Sequence, residues 1–287
     1  MRFGFVSSFG TPEQHVALAR ECEEHGWDGF FFWDGVDLGD WGGGGVATWD
    51  PFSILTAAAR VTERITLGAL VFAFPRHRPW ELAQRVLTVD HLSGGRLVLP
   101  VGLGVLDDHA FKSVAEQEKG LRERAELLDD MLAYLAESWS GERFAFDGTH
   151  LHTGDFRFPV APVNGRVPVW PVAAWPSEKS MSRAARWDGV VPQLRSTTTT
   201  AAETPLGAQD VADLVAWARE RRAAAGTEAP WDVVTQGILP DDPGEAAAHA
   251  SALAEAGATW WVESRWDPAT ATPESLLERV RQGPPAL

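Results

Sequence analysis

Two carboxylates end predicted strands, where a side chain can reach a substrate that lies over the edge of a sheet. Asp34 follows the apolar run Phe-Phe-Phe-Trp at residues 30–33, and Glu263 ends the run Trp-Trp-Val-Glu at 260–263. A carboxylate in such a position can accept a proton from a substrate or return one. Asp34 and Glu263 are therefore the predicted catalytic residues, and the anchoring of a turn is the alternative role for Asp34.

Histidines are the other polar candidates. His77, near the end of the loop after the third predicted strand, and His109 are both expected to be solvated surface residues. His150 and His152 share a face if the chain is extended there, but no His-x-His cluster stands at a strand end beside a third ligand. A metallohydrolase is therefore a weak alternative, and no metal site is predicted. Cys22 is the single cysteine, which excludes an intrachain disulfide.

Residues 65–104 show which elements position such side chains. The apolar run at 65–71 predicts a buried strand, the three- and four-residue spacing of apolar positions at 78–92 predicts a helix, and 96–101 predicts the next strand. Glycines mark the corners between these elements. Strand, helix and strand with short joints form a βαβ unit, whose parallel strands are buried on both faces.

The same alternation recurs along the chain and predicts the fold. Predicted strands, each followed by a helix, lie at residues 3–6, 30–33, 65–71, 96–101, 167–173, 190–193, 231–236 and 260–263. Eight such pairs indicate an α/β fold of the (β/α)8 barrel type, with its active site at the carboxyl ends of the strands. A doubly wound open sheet is the alternative, but it would need a glycine fingerprint after its first strand. We expect a single domain over residues 1–287.

Three segments interrupt the alternation. Residues 139–168 carry phenylalanines among glycines and polar residues, which predicts a short hairpin-like insertion outside the barrel. A glycine-rich loop is predicted for 35–50 and a threonine-rich loop for 196–204. A loop as long as the glycine-rich one at 35–50 is usually functional or mobile.

Composition and charge exclude several classes of partner. The formal net charge of −15 argues against nucleic acid or an anionic membrane surface as the main partner, because either would repel the chain. No apolar run reaches the roughly 20 residues that cross a bilayer. The amino terminus runs directly into a predicted strand without an apolar leader, so we expect no signal peptide and a cytoplasmic location.

Several short motifs, taken together, strongly resemble the luciferase-like monooxygenase family of flavin-dependent barrel enzymes. The matching residues in the first half are Leu67-Gly68, Val71, Arg78-Pro79, Leu82-Ala83, Thr88-Val89-Asp90, Leu-Ser-Gly-Gly-Arg at 92–96 and Val-Gly-Leu-Gly at 101–104. Gly-Trp-Asp-Gly at 26–29, Trp33-Asp34, residues 183–192 and residues 256–263 agree as well. The resemblance covers essentially the whole chain, in the family's order.

The resemblance implies a barrel that binds FMN, or the deazaflavin F420, at the carboxyl ends of its strands. By position, Ala69, Leu70 and Val71 would lie against the cofactor ring, and the peptide bond between Leu70 and Val71 would be the non-prolyl cis bond that the family commonly carries there. The cofactor phosphate would bind the loop at 173–177, which includes Ala174 and Trp175, with Arg183 adding charge.

Departures from the family pattern bear on the reaction. The family often follows its second strand with Asp-His, but this chain has Asp34-Gly35, and Val105 stands where F420-dependent sugar-phosphate dehydrogenases have a glutamate. Both differences, at Gly35 and Val105, weigh against dehydrogenase chemistry, because that reaction needs an acid/base pair. They weigh less against monooxygenation, which needs a dry apolar pocket. Such a pocket would be walled by aromatic residues that fit core packing equally well, namely Trp33, Trp41, Trp49, Phe72 and Phe74.

The predicted function is that of a flavin-dependent oxidoreductase acting on a small organic substrate. A monooxygenase that uses dioxygen and reduced FMN from a separate reductase is favoured, because no nicotinamide fingerprint is visible. F420-dependent oxidoreduction is the runner-up, and a catalytically degenerate flavin- or ligand-binding member is the third reading. A homodimer is left open, since relatives often dimerise.

Overall fold

Strands and helices alternate along the chain as predicted. The computed structural model describes residues 1–41, 45–105, 107–115, 119–194 and 205–287. The glycines at 42–44 and the whole of the predicted threonine-rich loop at 196–204 lie outside the described residues. The strands are β1 (Arg2–Val6), β2 (Gly29–Phe32), β3 (Thr66–Ala69), β4 (Phe72–Ala73), β5 (Leu99–Gly102), β6 (Arg143–Asp147), β7 (His152–Arg157), β8 (Val169–Trp175), β9 (Gly189–Leu194), β10 (Asp232–Gly237) and β11 (Trp260–Glu263).

The helices cover the outside of the sheet. They are α1 (Pro12–Glu24), α2 (Pro51–Val61), α3 (Pro79–Ser93), α4 (His109–Lys112), α5 (Leu121–Ser138), α6 (Glu178–Ala184), α7 (Ala208–Ala224), α8 (Pro243–Ala256) and α9 (Pro273–Arg281). Local sequence explains their starts. Thr11 and Gln14 form a capping box at α1, and the Asp50 side chain accepts from the Ser53 amide at α2. No described helix is long and apolar enough to cross a membrane.

Nine parallel strands form one nearly closed sheet in the order β3-β2-β1-β11-β10-β9-β8-β5-β4. Strands β3 and β4 follow each other directly, so together they occupy the third position of an eight-unit barrel. A bridge between Leu67 and Leu97 joins that position to the segment before β5. The predicted (β/α)8 barrel is confirmed, and the open doubly wound sheet is wrong.

The predicted insertion is a two-stranded antiparallel hairpin, β6 and β7, that is separate from the barrel sheet. It packs on α5, where the Tyr134 ring meets the ring of Phe144 at 5.2 Å and that of Phe146 at 5.7 Å. The Asp130 carboxylate on the same helix accepts from the amides of His150 and Leu151 in the hairpin turn. The hairpin is therefore attached through one helix.

The core has two layers that follow the alternation of side chains along each strand. Between barrel and helices lies an outer layer that includes Phe3, Phe5, Phe30 and Phe32. The barrel interior holds a second cluster: Val6, Phe31, Leu70, Val98, Trp170, Val191, Val234, Trp260 and Val262. Its three large rings touch one another at centroid distances of 5.6–6.2 Å. Space for them comes from glycines, because a Cβ at Gly4 would lie 2.5 Å from the Phe31 ring.

Candidate active site

The turn between β3 and β4 forms an apolar wall at the mouth of the barrel. The Leu70–Val71 peptide bond is cis, as predicted. Leu70 belongs to the interior cluster, and the half-buried Val71 packs on that cluster from above. Ala69 is buried in the outer layer instead, so its side chain does not face the mouth. The wall is therefore made of the Leu70 and Val71 side chains.

The Asp34 carboxylate lies in a buried ion cluster just beyond the end of β2. The Asp34 side chain is 1% exposed. One carboxylate oxygen pairs with the Arg76 guanidinium. The other oxygen lies 2.8 Å from His77 Nε2 and accepts a hydrogen bond from the Ala73 amide at 2.9 Å. Burial by itself would raise the pKa of Asp34, but His77 and Arg76 lower that pKa by more. These contacts favour the alternative role foreseen for Asp34, that of an ionised anchor that joins β2 to the turn after β4.

His77 differs from its predicted place. Its side chain is only 10% exposed, so the expectation of a solvated histidine is wrong. The ring packs edge-to-face on Phe52 of α2 at 6.2 Å while its Nε2 contacts Asp34. His109, by contrast, has a 41% exposed side chain, which pairs with Asp37. The sequence could not reveal that Asp34, 43 positions away, gives His77 a buried partner.

Glu263 is enclosed in the outer layer rather than open to the mouth. Its side chain is 0% exposed, and Oε1 pairs with Arg265 at 2.9 Å, with Arg279 at 3.6 Å. The other oxygen accepts from the Leu239 amide at 3.0 Å. Alternation explains the placement, because Trp260 and Val262 point into the barrel and Glu263 must then point outward. These contacts favour a structural role over a catalytic one.

The predicted phosphate-binding residues separate into two places. Ala174 and Trp175 end β8, and both are half-buried at the mouth. The Ala174 amide donates to Ser180 Oγ at 3.0 Å. Arg183 instead forms a two-pronged ion pair with Asp129 of α5 at 2.8 and 2.9 Å. Its guanidinium is therefore directed between α5 and α6, away from the loop after β8.

Trp33 directly follows β2 at the carboxyl end of the strands, and its buried side chain packs in the outer layer. Its indole Nε1 donates to the Ser8 carbonyl at 2.7 Å, which holds the ring in place. The indole also explains the glycine that follows Asp34, because a Cβ at Gly35 would lie 2.6 Å from Trp33 Cζ3. Of the other proposed wall residues, Trp41 contacts Trp33 at 6.5 Å, whereas Phe72 and Phe74 lie in the outer layer and Trp49 is exposed.

One structural feature was not predicted: the loops after β2 and β5 are clamped together. The buried Asp108 carboxylate accepts from the amides of Val36 and Asp37, both at 3.1 Å, and from Ala110 at the start of α4. Val36 and Asp37 lie 72 and 71 positions from Asp108 in the sequence, so no local pattern reveals this role of Asp108. The clamp carries the loop after β2 across the rim above β3 and β4.

The comparisons with known proteins decide the family. The profile of the luciferase-like monooxygenase family matches residues 1–279. This chain belongs to that family. An F420-dependent glucose-6-phosphate dehydrogenase of Nakamurella multipartita is 32% identical over 157 residues, which cover 53% of this chain and 45% of that protein. The chain thus spans about half the length of the curated relatives it matches.

Solved structures show the same fold at low identity. The coenzyme F420 dependent tetrahydromethanopterin reductase from Methanopyrus kandleri aligns with a TM-score of 0.76 and 16% identity, over 99% of this chain and 98% of that one. The oxygenating constituent of 3,6-diketocamphane monooxygenase from Pseudomonas putida, in complex with FMN, aligns with a TM-score of 0.72 and 13% identity, over 98% and 96%.

Proposed function

We propose that this chain is a flavin-dependent oxidoreductase whose cofactor binds at the carboxyl ends of the barrel strands. The observation that carries the proposal is the apolar wall that Leu70 and Val71 form at the mouth, while the carboxylates of Asp34 and Glu263 are held by their own partners. A flat ring fits an apolar wall of this kind. A bound flavin supplies the redox chemistry, so the task of the chain is to orient the reactants and exclude water.

For the cofactor phosphate we propose the turn at 176–177 and the hydroxyl of Ser180. Ser180 Oγ accepts from the Ala174 amide, so its own proton is free to be donated to an anion. Trp175, which is half-buried, directly precedes this turn. Arg183 takes no part in this version of the site, because its guanidinium is committed to Asp129.

Monooxygenation with reduced FMN is the reaction that the mouth supports best. An acid/base pair aimed at the substrate is what a dehydrogenase needs, but the predicted acids are paired elsewhere and Gly35 leaves no side chain at the position of the family's histidine. We further propose a small organic substrate, a separate reductase as the source of reduced FMN, a cytoplasmic location and one domain over residues 1–287. A homodimer is compatible with the proposal and is not required by it.

F420-dependent oxidoreduction is the second candidate. It is favoured by the 32% identity over 157 residues to an F420-dependent glucose-6-phosphate dehydrogenase. The two candidate functions differ in the cofactor and in the need for dioxygen. Both place the ring system of the cofactor against Leu70 and Val71.

Titration of the purified chain with FMN, reduced FMN and F420 tests the proposal. Tight binding of reduced FMN, followed by dioxygen uptake when a flavin reductase and a panel of substrates are supplied, is the expected result. Binding of F420 alone would select the second candidate. Cofactor binding without any turnover would identify a degenerate binding protein, and failure of all three cofactors to bind would refute the proposal.

A further inference from the structure

Three tryptophans from opposite ends of the chain meet at the mouth. Trp33 follows β2, Trp41 lies in the loop after it, and Trp266 follows β11. Their ring centroids are 6.5 Å apart for Trp33 and Trp41, 6.3 Å for Trp33 and Trp266, and 6.4 Å for Trp41 and Trp266. We call these three residues the indole triad.

The indole triad lies on the part of the rim opposite to β5 and β8. Strands β2, β1 and β11 are neighbours in the sheet, and Phe9, which follows β1, packs edge-to-face on Trp41 at 5.4 Å. Trp266 also packs on the interior cluster of the barrel. Through Trp266 the aromatic surface is continuous with the barrel core, and β2, which Trp33 follows, is the direct neighbour of β3, after which Leu70 and Val71 lie.

Exposure distinguishes this surface from ordinary core. Trp33 is buried, but Phe9, Trp41 and Trp266 are only half-buried although each contacts other rings. Aromatic surface that a fold leaves partly open at the carboxyl ends of its barrel strands is a common place for ligand binding. The indoles meet at steep or tilted angles, so their faces are not consumed by mutual stacking.

The guanidinium groups beside the indole triad are paired with carboxylates, and the residues next to Trp41 and Trp266, Asp40 and Asp267, are acidic. Asp34 and Arg265, which flank Trp33 and Trp266 in sequence, are bound to Arg76 and to Glu263. The one polar atom of Trp33, its Nε1, donates to Ser8. Within the ranges that the structure describes, the guanidinium groups of Arg76 and Arg265 are therefore both paired with carboxylates. They offer no free positive charge to a phosphorylated substrate at the indole triad.

We propose that the indole triad selects an uncharged, largely apolar ring compound as the substrate, and that Trp41 and Trp266 determine this specificity. The inference rests on the proposed function, because it assigns a substrate class to the same mouth. It separates this chain from a glucose-6-phosphate dehydrogenase, whose named substrate carries a phosphate. Within the mouth, the substrate lies on the side of β1, β2 and β11, and the cofactor on the side of β3, β4 and β8.

The test uses two probes that share one ring system, 2-naphthol and 2-naphthyl phosphate, and measures their binding to the purified chain by calorimetry with and without FMN or F420. We expect 2-naphthol to bind and the phosphate to bind about tenfold more weakly or not at all. Trp41→Ala and Trp266→Ala should each weaken 2-naphthol binding by about tenfold, since each removes a large part of an apolar contact. Trp231→Ala is the matched control, because Trp231 is also half-buried but precedes β10 at the opposite end of the barrel.

The outcomes separate this inference from the proposed function. Equal or tighter binding of the phosphate, or unchanged 2-naphthol binding in both triad variants, would overturn the inference while cofactor binding stands. Loss of cofactor affinity in Trp41→Ala and Trp266→Ala, with circular dichroism unchanged, would assign the triad to the cofactor and also overturn it. Failure of every cofactor to bind the unaltered chain would refute the proposed function, while the comparison of the two probes still reads out the triad.

Discussion

His15 is a buried histidine that makes the stability of the chain depend on pH. Its ring is 1% exposed, and Nδ1 lies 2.6 Å from Ser7 Oγ. Burial lowers the pKa of His15 from its ordinary 6.5 to about 4, against a smaller opposing contribution from the Gly10 backbone. The unfolded chain therefore binds a proton at a higher pH than the folded chain does.

Lowering the pH from 6.5 towards 4 should destabilise the folded state for this reason, by up to about 3 kcal/mol in all. Urea unfolding at a series of pH values measures the effect. A His15→Gln variant should lose this part of the pH dependence, whereas His109→Gln, at an exposed site, should keep it. Identical slopes in the unaltered chain and His15→Gln would contradict the assignment.

Gly35 and Trp33 compete for one space. A Cβ at residue 35 would meet the Trp33 ring at 2.6 Å, and the ring cannot yield easily because its Nε1 is bound to Ser8. Gly35→Ala should therefore lower the free energy of unfolding by about 1–3 kcal/mol. Combined with Trp33→Leu, the same change should cost less than the sum of the two single substitutions.

Thermal unfolding of the four chains in this cycle gives the coupling energy. Gly154→Ala, in β7, is the control, because a Cβ there would meet nothing within 4 Å. Strict additivity of Gly35→Ala and Trp33→Leu would show that the indole does not exclude a side chain at position 35. The family's histidine would then be absent for a reason other than space.

At the scale of elements, the ion pair between Arg183 and Asp129 joins α6 to α5. Arg183→Met should lower the free energy of unfolding by about 1–2 kcal/mol, a modest loss because Asp129 is 38% exposed and can regain water. The FMN affinity should stay within twofold of that of the unaltered chain. A twofold change in affinity corresponds to roughly 0.4 kcal/mol, which is close to the limit of measurement. A large loss of FMN affinity with unchanged stability would return Arg183 to the phosphate site.

The Asp108 clamp is the second link between elements that makes a prediction. Asp108→Ala leaves the amides of Val36 and Asp37 without their acceptor, so these amides should exchange hydrogen with solvent faster. Amides in β1 and β11 should keep their protection. Asp155→Ala, which breaks an exposed pair with Arg143, is the control and should leave exchange at residues 36 and 37 unchanged.

Sequence predicted the elements better than it predicted where their side chains point. Caps such as Thr11 and the apolar spacing of 78–92 are local signals, so the helices and barrel strands were found within a few residues. In β11, by contrast, both faces are buried, and the apolar run carries no alternation that could show Glu263 facing outward. The partners of Arg183 and His77 lie 54 and 43 positions away, and no local pattern encodes such pairs.

For the whole molecule, the barrel and its helices form one structural unit, and the hairpin of β6 and β7 is an attachment to it. Within the hairpin, Arg143 and Arg157 face each other across the two strands. The chain can therefore be closed there by a short Gly-Ser turn that replaces residues 144–156, at a small entropic cost. What the deletion removes from the outer layer is the packing of Phe144, Phe146 and Phe156 on Tyr134.

The shortened chain should fold into the same barrel with lower stability, because the Tyr134 ring becomes exposed while every barrel strand is retained. Near-ultraviolet circular dichroism and the cooperativity of urea unfolding check the fold, and titration with FMN checks the mouth. Tyr134→Ala in the full-length chain is the companion variant, since it removes the aromatic contacts but keeps the hydrogen bonds of Asp130 to the hairpin turn. If the shortened chain aggregates or is molten while Tyr134→Ala folds well, the hairpin is part of the folding unit. If both variants keep the spectroscopic signals of the barrel and their FMN affinity, the whole function lies in the barrel.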